Sequence, residues 1–253
     1  MNRVAGSPAK APAAPHPIDA PGTDECAWAA RGGLDALPDA GAGVAGVASA
    51  VVVAAHPDDE VLGAGGLISV LAAAGARLRL VAVTDGEGSH RGRADPAVLA
   101  RRRIAETAAA LGALGAGTAE VIRLGLPDSG LADREAELSG ALAPLTAGFD
   151  VCLAPWHGDL HPDHETAGRA ARRAASRVLC YPVWMWHWAS PADPRVPWDQ
   201  ALRVPLAPGA VACKRAAIGC FSSQVEDRGD GLGPVLPAGM IAHFTRAMEV
   251  LLP

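Results

Sequence analysis

The sequence predicts an α/β fold in which a mainly parallel sheet lies between two layers of helices. Three observations predict it. Compact apolar runs rich in β-branched residues alternate with alanine-rich helical segments along most of the chain, and parallel neighbours need such crossover connections. Half of the residues are hydrophobic, only 4% are aromatic and 29 are glycine, a composition that suits helices packed on a sheet through small side chains. The 253 residues suffice for one large core rather than a string of small modules. The architecture expected is a single three-layer, Rossmann-like domain.

Residues 1–22 are rich in alanine and proline. Repeated prolines deny the backbone both a helix and a sheet ladder, so a flexible arm is expected there and the domain proper over residues 23–253. Thr23-Asp24 is expected to cap a covering helix that runs through Leu37. From Ala48 the run SAVVVAA reads as a strand, followed by polar residues and then by VLGAGGLISVLAAAG as a helix. The order repeats: RLRLVAVT and AEVIRLG read as strands, PAVLARRRIAETAAALGALG and REAELSGALAPL as the helices that follow them. DVCLAP is a further strand, with a helix after His161. RVLCYPVWMWHW reads as a strand running into a loop, and a final helix is expected from about Pro237 to Leu251.

The formal net charge is −5 and the arginines are dispersed, so no basic face of the kind DNA or RNA binding requires is present. Five cysteines with no C-x-x-C pair indicate neither a disulfide framework nor a thiolate zinc site. The first residues lack the apolar stretch of a signal peptide. The longest apolar run, Val44 to Ala55, is far shorter than the about 20 residues that span a bilayer. The expectation is a cytoplasmic protein with a small-molecule partner, no nucleic acid and no membrane span; nothing in the sequence speaks to its oligomeric state.

Gly41, Gly43 and Gly46 fit G-x-G-x-x-G but precede the first strand, whereas a dinucleotide site needs its glycines after a strand and opening a helix. The later glycines of Gly63-Ala64-Gly65-Gly66 are expected to pack the helix closely against the loop before it. In that loop His56, Asp58, Asp59 and Glu60 place four ionisable groups within five residues directly after an apolar strand. Burying them without a partner would be costly, and a cation is the simplest partner. Acids alone could serve a solvated helix N-terminus, which does not call for the histidine. In the second cluster Pro162 suits the first helical position, leaving His161 as a cap with His164 on the same face. Both clusters follow strands, at the sheet edge where open α/β folds bind ligands. Two imidazoles and one carboxylate make an open ligand set for which zinc is the first choice, and the same trio also suits ferrous iron.

AHPDDE followed about a hundred residues later by HPDH resembles the PIG-L/LmbE-like deacetylases, metal-dependent enzymes that remove the acetyl group from N-acetylglucosamine-type conjugates. The resemblance runs from about Ala48 to the last helix. It implies His56, Asp59 and His164 as metal ligands, Asp58 as general base, and His161 as the group that, protonated, steadies the oxyanion and serves the leaving amine. Arg103 and Glu106 in an R-x-x-E helix, and Asp128 in LGLPDS, lie where family members contact substrate; the plainer readings are a surface ion pair and a turn. Some relatives carry a mobile tyrosine where this chain has Asp159, so a different substrate is implied.

Trp156, Trp184, Trp186, Trp188 and Trp198 cluster near the second motif, and indoles offer flat surfaces to sugars or lipophilic aglycones. Trp186 and Trp188 are taken as substrate contacts. Asp85, Glu87, Ser89 and His90 follow the second strand and are expected to shape the pocket. The function expected is removal of acetyl from an N-acetylated amino sugar or glycoconjugate, with secondary metabolism as a candidate setting. Its rivals are an amidase of a thiol conjugate or other small amide, and a non-catalytic metal- or sugar-binding protein.

Overall fold

The computed structural model describes residues 21–253 except Arg31, Ala45, Arg91, Arg93, Gly229, Asp230 and Leu232. The arm expected over residues 1–22 falls almost wholly outside the described residues. A short helix α1 (Glu25–Ala30) and a turn of helix α2 (Gly41–Val44) precede the first strand. The covering helix is thus much shorter than the expected run to Leu37, because the segment Gly32-Gly33 that follows offers poor helix formers and Gly32 adopts a φ of 61°.

Strands β1 (Ser49–Ala54), β2 (Arg77–Ala82), β3 (Glu120–Arg123), β4 (Val151–Pro155) and β5 (Val178–Tyr181) form one five-stranded sheet in the order β3-β2-β1-β4-β5, with every neighbouring pair parallel. The crossovers carry α3 (Asp59–Ala73), α4 (Pro96–Ala113), α5 (Glu135–Thr146) and α6 (Pro162–Ala174). The side-chain period of two in β1 sorts the core into two layers. Ala50, Val52 and Ala54 join one apolar cluster with Leu62, Leu67 and Ile68 of α3. Val51, Val53 and Ala55 join the other with Leu138 and Leu142 of α5 and Ala167, Ala170 and Ala171 of α6. Three layers result, as the sequence predicts.

After β5 come α7 (Met185–Trp188), β6 (Leu202–Pro205), α8 (Pro208–Gly219), α9 (Ser222–Val225), α10 (Ala238–Phe244) and β7 (Met248–Leu251). The expected final helix to Leu251 is therefore corrected to a short helix and a strand. β7 pairs antiparallel with β6, and Leu252 bridges to Cys180 of β5, so the apolar run MEVLL is used as a strand packed on the main domain. Glu249 of β7 accepts the backbone N–H groups of Gly66 and Leu67 in α3 at 2.7 and 2.8 Å and pairs with buried Lys214 at 2.6 Å. The α3 glycines do allow close approach, but to other neighbours than the preceding loop. A Cβ at Gly63 would collide with the Tyr181 ring, and one at Gly66 with the Leu206 side chain.

β1 and β4 lie side by side where the sheet order turns outward in both directions, the position at which open parallel sheets leave a crevice. Both histidine-bearing segments leave these two strands.

Candidate active site

His56 follows β1 by two residues, while His161 caps α6 and Pro162 opens it. The two segments meet over the carboxyl end of the sheet. His56 Nδ1 lies 3.3 Å from His164 Nε2, Asp59 Oδ1 lies 3.2 Å from His164 Nε2, and Asp59 Oδ2 lies 3.5 Å from His56 Nδ1. Four bonds of about 2.0–2.1 Å directed tetrahedrally at zinc separate their donors by about 3.3 Å, so this trio fits a zinc-sized cation.

The far nitrogens of the two imidazoles decide what the near ones can do. His164 Nδ1 sits 2.7 Å from the Asp159 carboxylate, which accepts only, so Nδ1 carries the hydrogen and Nε2 of a neutral ring is a lone pair. His56 Nε2 sits 3.1 Å from Asp163 and 3.3 Å from Asp128, which likewise places its hydrogen there and the lone pair on Nδ1. Two lone pairs and the Asp59 carboxylate then face one another, an arrangement that calls for positive charge in the middle. The side-chain pKa values express the same demand. Burial would lower that of His164, but Asp59 and Asp159 lift it to about 9. His56 is also raised, by Asp128, Asp163 and Asp59 against the effect of burial. Asp59 is held well below the carboxylate range by both histidines, although burial opposes this.

Other donors also gather here, His161 with the two other imidazoles, and Asp128 with Asp163 on the Nε2 side of His56. The second grouping is explained without an ion, since Asp163 accepts the backbone N–H groups of Ser129 and Leu131 at 2.7 and 3.1 Å besides facing His56.

Asp58 takes the N-cap of α3 at φ 117°, a left-handed conformation that costs a non-glycine residue on the order of 1–3 kcal/mol. Its Oδ2 lies 3.0 Å from Arg103 Nη2. Burial raises its pKa, Arg103 opposes this, and the outcome is about 7, a value that suits a base at neutral pH. Its neighbour Glu60 has a different part: it is buried, accepts the Asp58 N–H, and burial lifts its pKa to about 8. His161 stands with its ring 4.5 Å from that of His164 and 4.9 Å from that of His56. Burial and the two other histidines push its pKa down to about 3, a shift that favours the neutral imidazole over the protonated form.

Residues 51–175 match the family model described as PIG-L: GlcNAc-PI de-N-acetylase. This segment is a PIG-L domain. Among curated proteins none matches its sequence. Solved structures of similar fold include the conserved protein TT1542 from Thermus thermophilus, 28% identical with a TM-score of 0.54 over 71% of this chain and 80% of that one. The N,N'-diacetylchitobiose deacetylase from Pyrococcus horikoshii is 18% identical, with a TM-score of 0.51 over 70% and 72%. The A40926 pseudoaglycone deacetylase Dbv21 is 18% identical, with a TM-score of 0.58 over 81% and 96%.

The PIG-L segment contributes the polar half of a cavity of about 180 Å³, including His56, Asp58, Asp59, Arg103, Asp128, His161 and His164. The C-terminal part beyond it adds Val183, Trp184, Gln224, Val235 and Leu236. Arg103 is neither a surface residue nor paired with Glu106: it is 2% exposed and donates to the carbonyls of Pro57 and Gly86 as well as to Asp58. Glu106 pairs with Arg102 and turns to Ser222 and Ser223 instead. Asp128 accepts the Gly88 N–H at 2.8 Å and faces His56.

Neither Trp186 nor Trp188 lines the cavity. Trp186 is core, packed edge-on against Trp28 at 5.1 Å and under Arg246 at 4.1 Å. Trp188 stacks on Trp156 and donates from Nε1 to the Asp159 carbonyl. The indole at the cavity is Trp184, nearly parallel to the His161 ring with centroids 6.4 Å apart. Of the residues after β2, Ser89 lines the cavity, Glu87 accepts the Asp128 N–H, His90 contacts Ser89 and Asp85 pairs with Arg123.

Sequence reasoning missed the parts that two carboxylates, Asp159 and Asp163, play in orienting the histidines. Fully buried Asp159 accepts His164 Nδ1–H together with the N–H groups of Val183, Trp184 and Met185 at 3.1, 2.9 and 2.8 Å. The signal that could have found it was an aspartate five residues before a candidate ligand, within reach of the ring nitrogen that the ion would leave free.

Proposed function

We propose that this chain is a metal-dependent hydrolase that removes the acetyl group from an N-acetylated amino sugar or glycoconjugate. The observation that carries the reading is the convergence of His56 Nδ1, His164 Nε2 and an Asp59 carboxylate at 3.2–3.5 Å, with the imidazole hydrogens engaged elsewhere. These three residues would hold the ion, zinc by preference and ferrous iron by the same donor chemistry. Bound there, a divalent cation supplies Lewis acidity toward an amide carbonyl and toward water.

The chain's own residues supply the rest. Asp58, buried beside the trio with a pKa of about 7, takes the proton of the attacking water, and Arg103 fixes the carboxylate that does so. His161 donates an N–H hydrogen bond to the carbonyl oxygen as negative charge develops on it; loss of such a donor typically costs about 10²–10³ in rate. The proton collected by Asp58 is available to the departing amine. Trp184 gives the cavity a flat apolar wall beside His161, suited to the face of a sugar ring. The similar structures named for deacetylation of diacetylchitobiose and of an antibiotic pseudoaglycone support a sugar-borne acetamide and, with it, a place in secondary metabolism. Among the described residues no helix is long and apolar enough to cross a membrane.

Acetate release from a panel of N-acetylated amino sugars and their glycosides, after chelation and again after zinc or ferrous iron is restored, tests the proposal. Metal-dependent release from at least one member is expected. Equal release in chelator would refute the metal role, and no release from any member would refute the substrate class.

A further inference from the structure

One polar side chain on the cavity wall has no part in the chemistry above. Gln224 of α9 is 1% exposed, yet it lines the same cavity as His56, Asp58 and His161. Its amide orientation is set by a relay that starts on α4. Glu106, paired with Arg102 at 3.1 Å, accepts the Ser223 backbone N–H at 2.8 Å and the Ser223 hydroxyl at 2.6 Å. The hydroxyl hydrogen is thereby engaged, so Ser223 Oγ can act toward any further neighbour only as an acceptor. The end of Gln224 that lies 2.8 Å from it must be the NH₂ group. Gln224 Oε1 is left with no hydrogen-bond partner among the described residues. Ser89 Oγ, also on the cavity wall, lies 3.5 Å from the same NH₂.

The geometry points to Gln224 as a specificity determinant: its fixed amide oxygen accepts a hydroxyl hydrogen of the sugar ring that carries the acetamido group. Ser223 is the positioning residue that keeps the amide from turning over. This rests on the amino-sugar reading above. An acceptor that leaves water when the substrate enters must be met by a donor, and a substrate lacking that hydroxyl strands it. Sites built to hydrogen-bond a substrate hydroxyl reject the deoxy analogue strongly for this reason.

The test uses a hydrophobic glycoside of N-acetylglucosamine and a set of analogues that each lack one ring hydroxyl, with acetate release measured for the metal-loaded enzyme. The unaltered chain should disfavour one analogue by about tenfold or more in kcat/KM. Gln224→Leu should erase that preference by slowing the intact substrate while leaving the analogue's rate nearly unchanged. Ser223→Ala, which frees the amide to turn, should weaken the preference, and Ser223→Thr should restore it; melting curves and metal content check that each variant is folded and loaded. A preference that persists unchanged in Gln224→Leu and Ser223→Ala, or an unaltered chain that treats all analogues alike, would overturn the assignment while leaving the deacetylase reading intact. No acetate release from any glycoside would overturn that reading and the assignment together.

Discussion

Asp159→Asn is the most informative small change available at this site. Oδ1 accepts Val183 N–H and Met185 N–H, while Oδ2 accepts His164 Nδ1–H and Trp184 N–H. Asparagine has the same shape but one NH₂ group, so in either orientation that group meets two donors. With NH₂ toward His164, the imidazole is driven to the tautomer in which Nδ1 accepts and Nε2 carries hydrogen, which removes the lone pair directed at Asp59 and His56. With NH₂ toward Val183 and Met185, two buried backbone donors lose their acceptor at about 1–3 kcal/mol each, and the wall that carries Trp184 loosens. Loss of such an outer partner typically lowers metal affinity 10–100-fold, equivalent to about 1.4–2.7 kcal/mol. Zinc affinity measured by competition with a chromophoric chelator, alongside the melting temperature with and without metal, reads both effects. Parental affinity together with parental stability in Asp159→Asn would refute the assignment of His164 Nε2 as a lone pair fixed from Asp159.

Three further expectations follow from other parts of the molecule. Asp58→Asn should keep fold and bound metal while losing most turnover, because a proton acceptor is removed and no proposed ligand; near-parental acetate release would require another base. Trp186→Ala should cost about 3–5 kcal/mol of stability, as large aromatic truncations in cores do, without altering relative rates on a free sugar and its glycoside; a selective loss on the glycoside would put this indole back at the substrate. Glu25 is held below the usual carboxylate range by Arg246 and His243 despite partial burial. Its ion pairs therefore stabilise the fold above the ordinary glutamate range near 4.3 and are lost as pH falls through the lower folded value. The stability gap between the parent and Glu25→Gln should be open at neutral pH and close in acid, and a gap that widens in acid would contradict the pairing.

What the sequence disclosed was whatever depends on short range. The apolar run from Ser49 to Ala54 and the helix that starts at Asp59 are adjacent in the chain, so the loop carrying His56 could be placed from periodicity alone. The His161 cap followed from Pro162 in the same way. The roles that depend on distant partners were hidden. Arg103 reads as one face of a surface helix until α4 packs over the loop and brings it onto Asp58. The tryptophans of α7 and its cap are identical in type, and only the neighbours decide that Trp184 faces the cavity while Trp186 meets Trp28, more than a hundred residues away in sequence. MEVLL continues a plausible helix from Ala238, and the pairing that makes it a strand lies in β6.

Metal analysis of the purified chain beside a His56→Ala and His164→Ala double variant is the most direct test of the site. About one divalent ion per folded parent chain and essentially none in the folded variant are predicted. Full occupancy in the double variant, or a parent that holds no divalent ion after dialysis against zinc and then against metal-free buffer, would contradict the proposed centre.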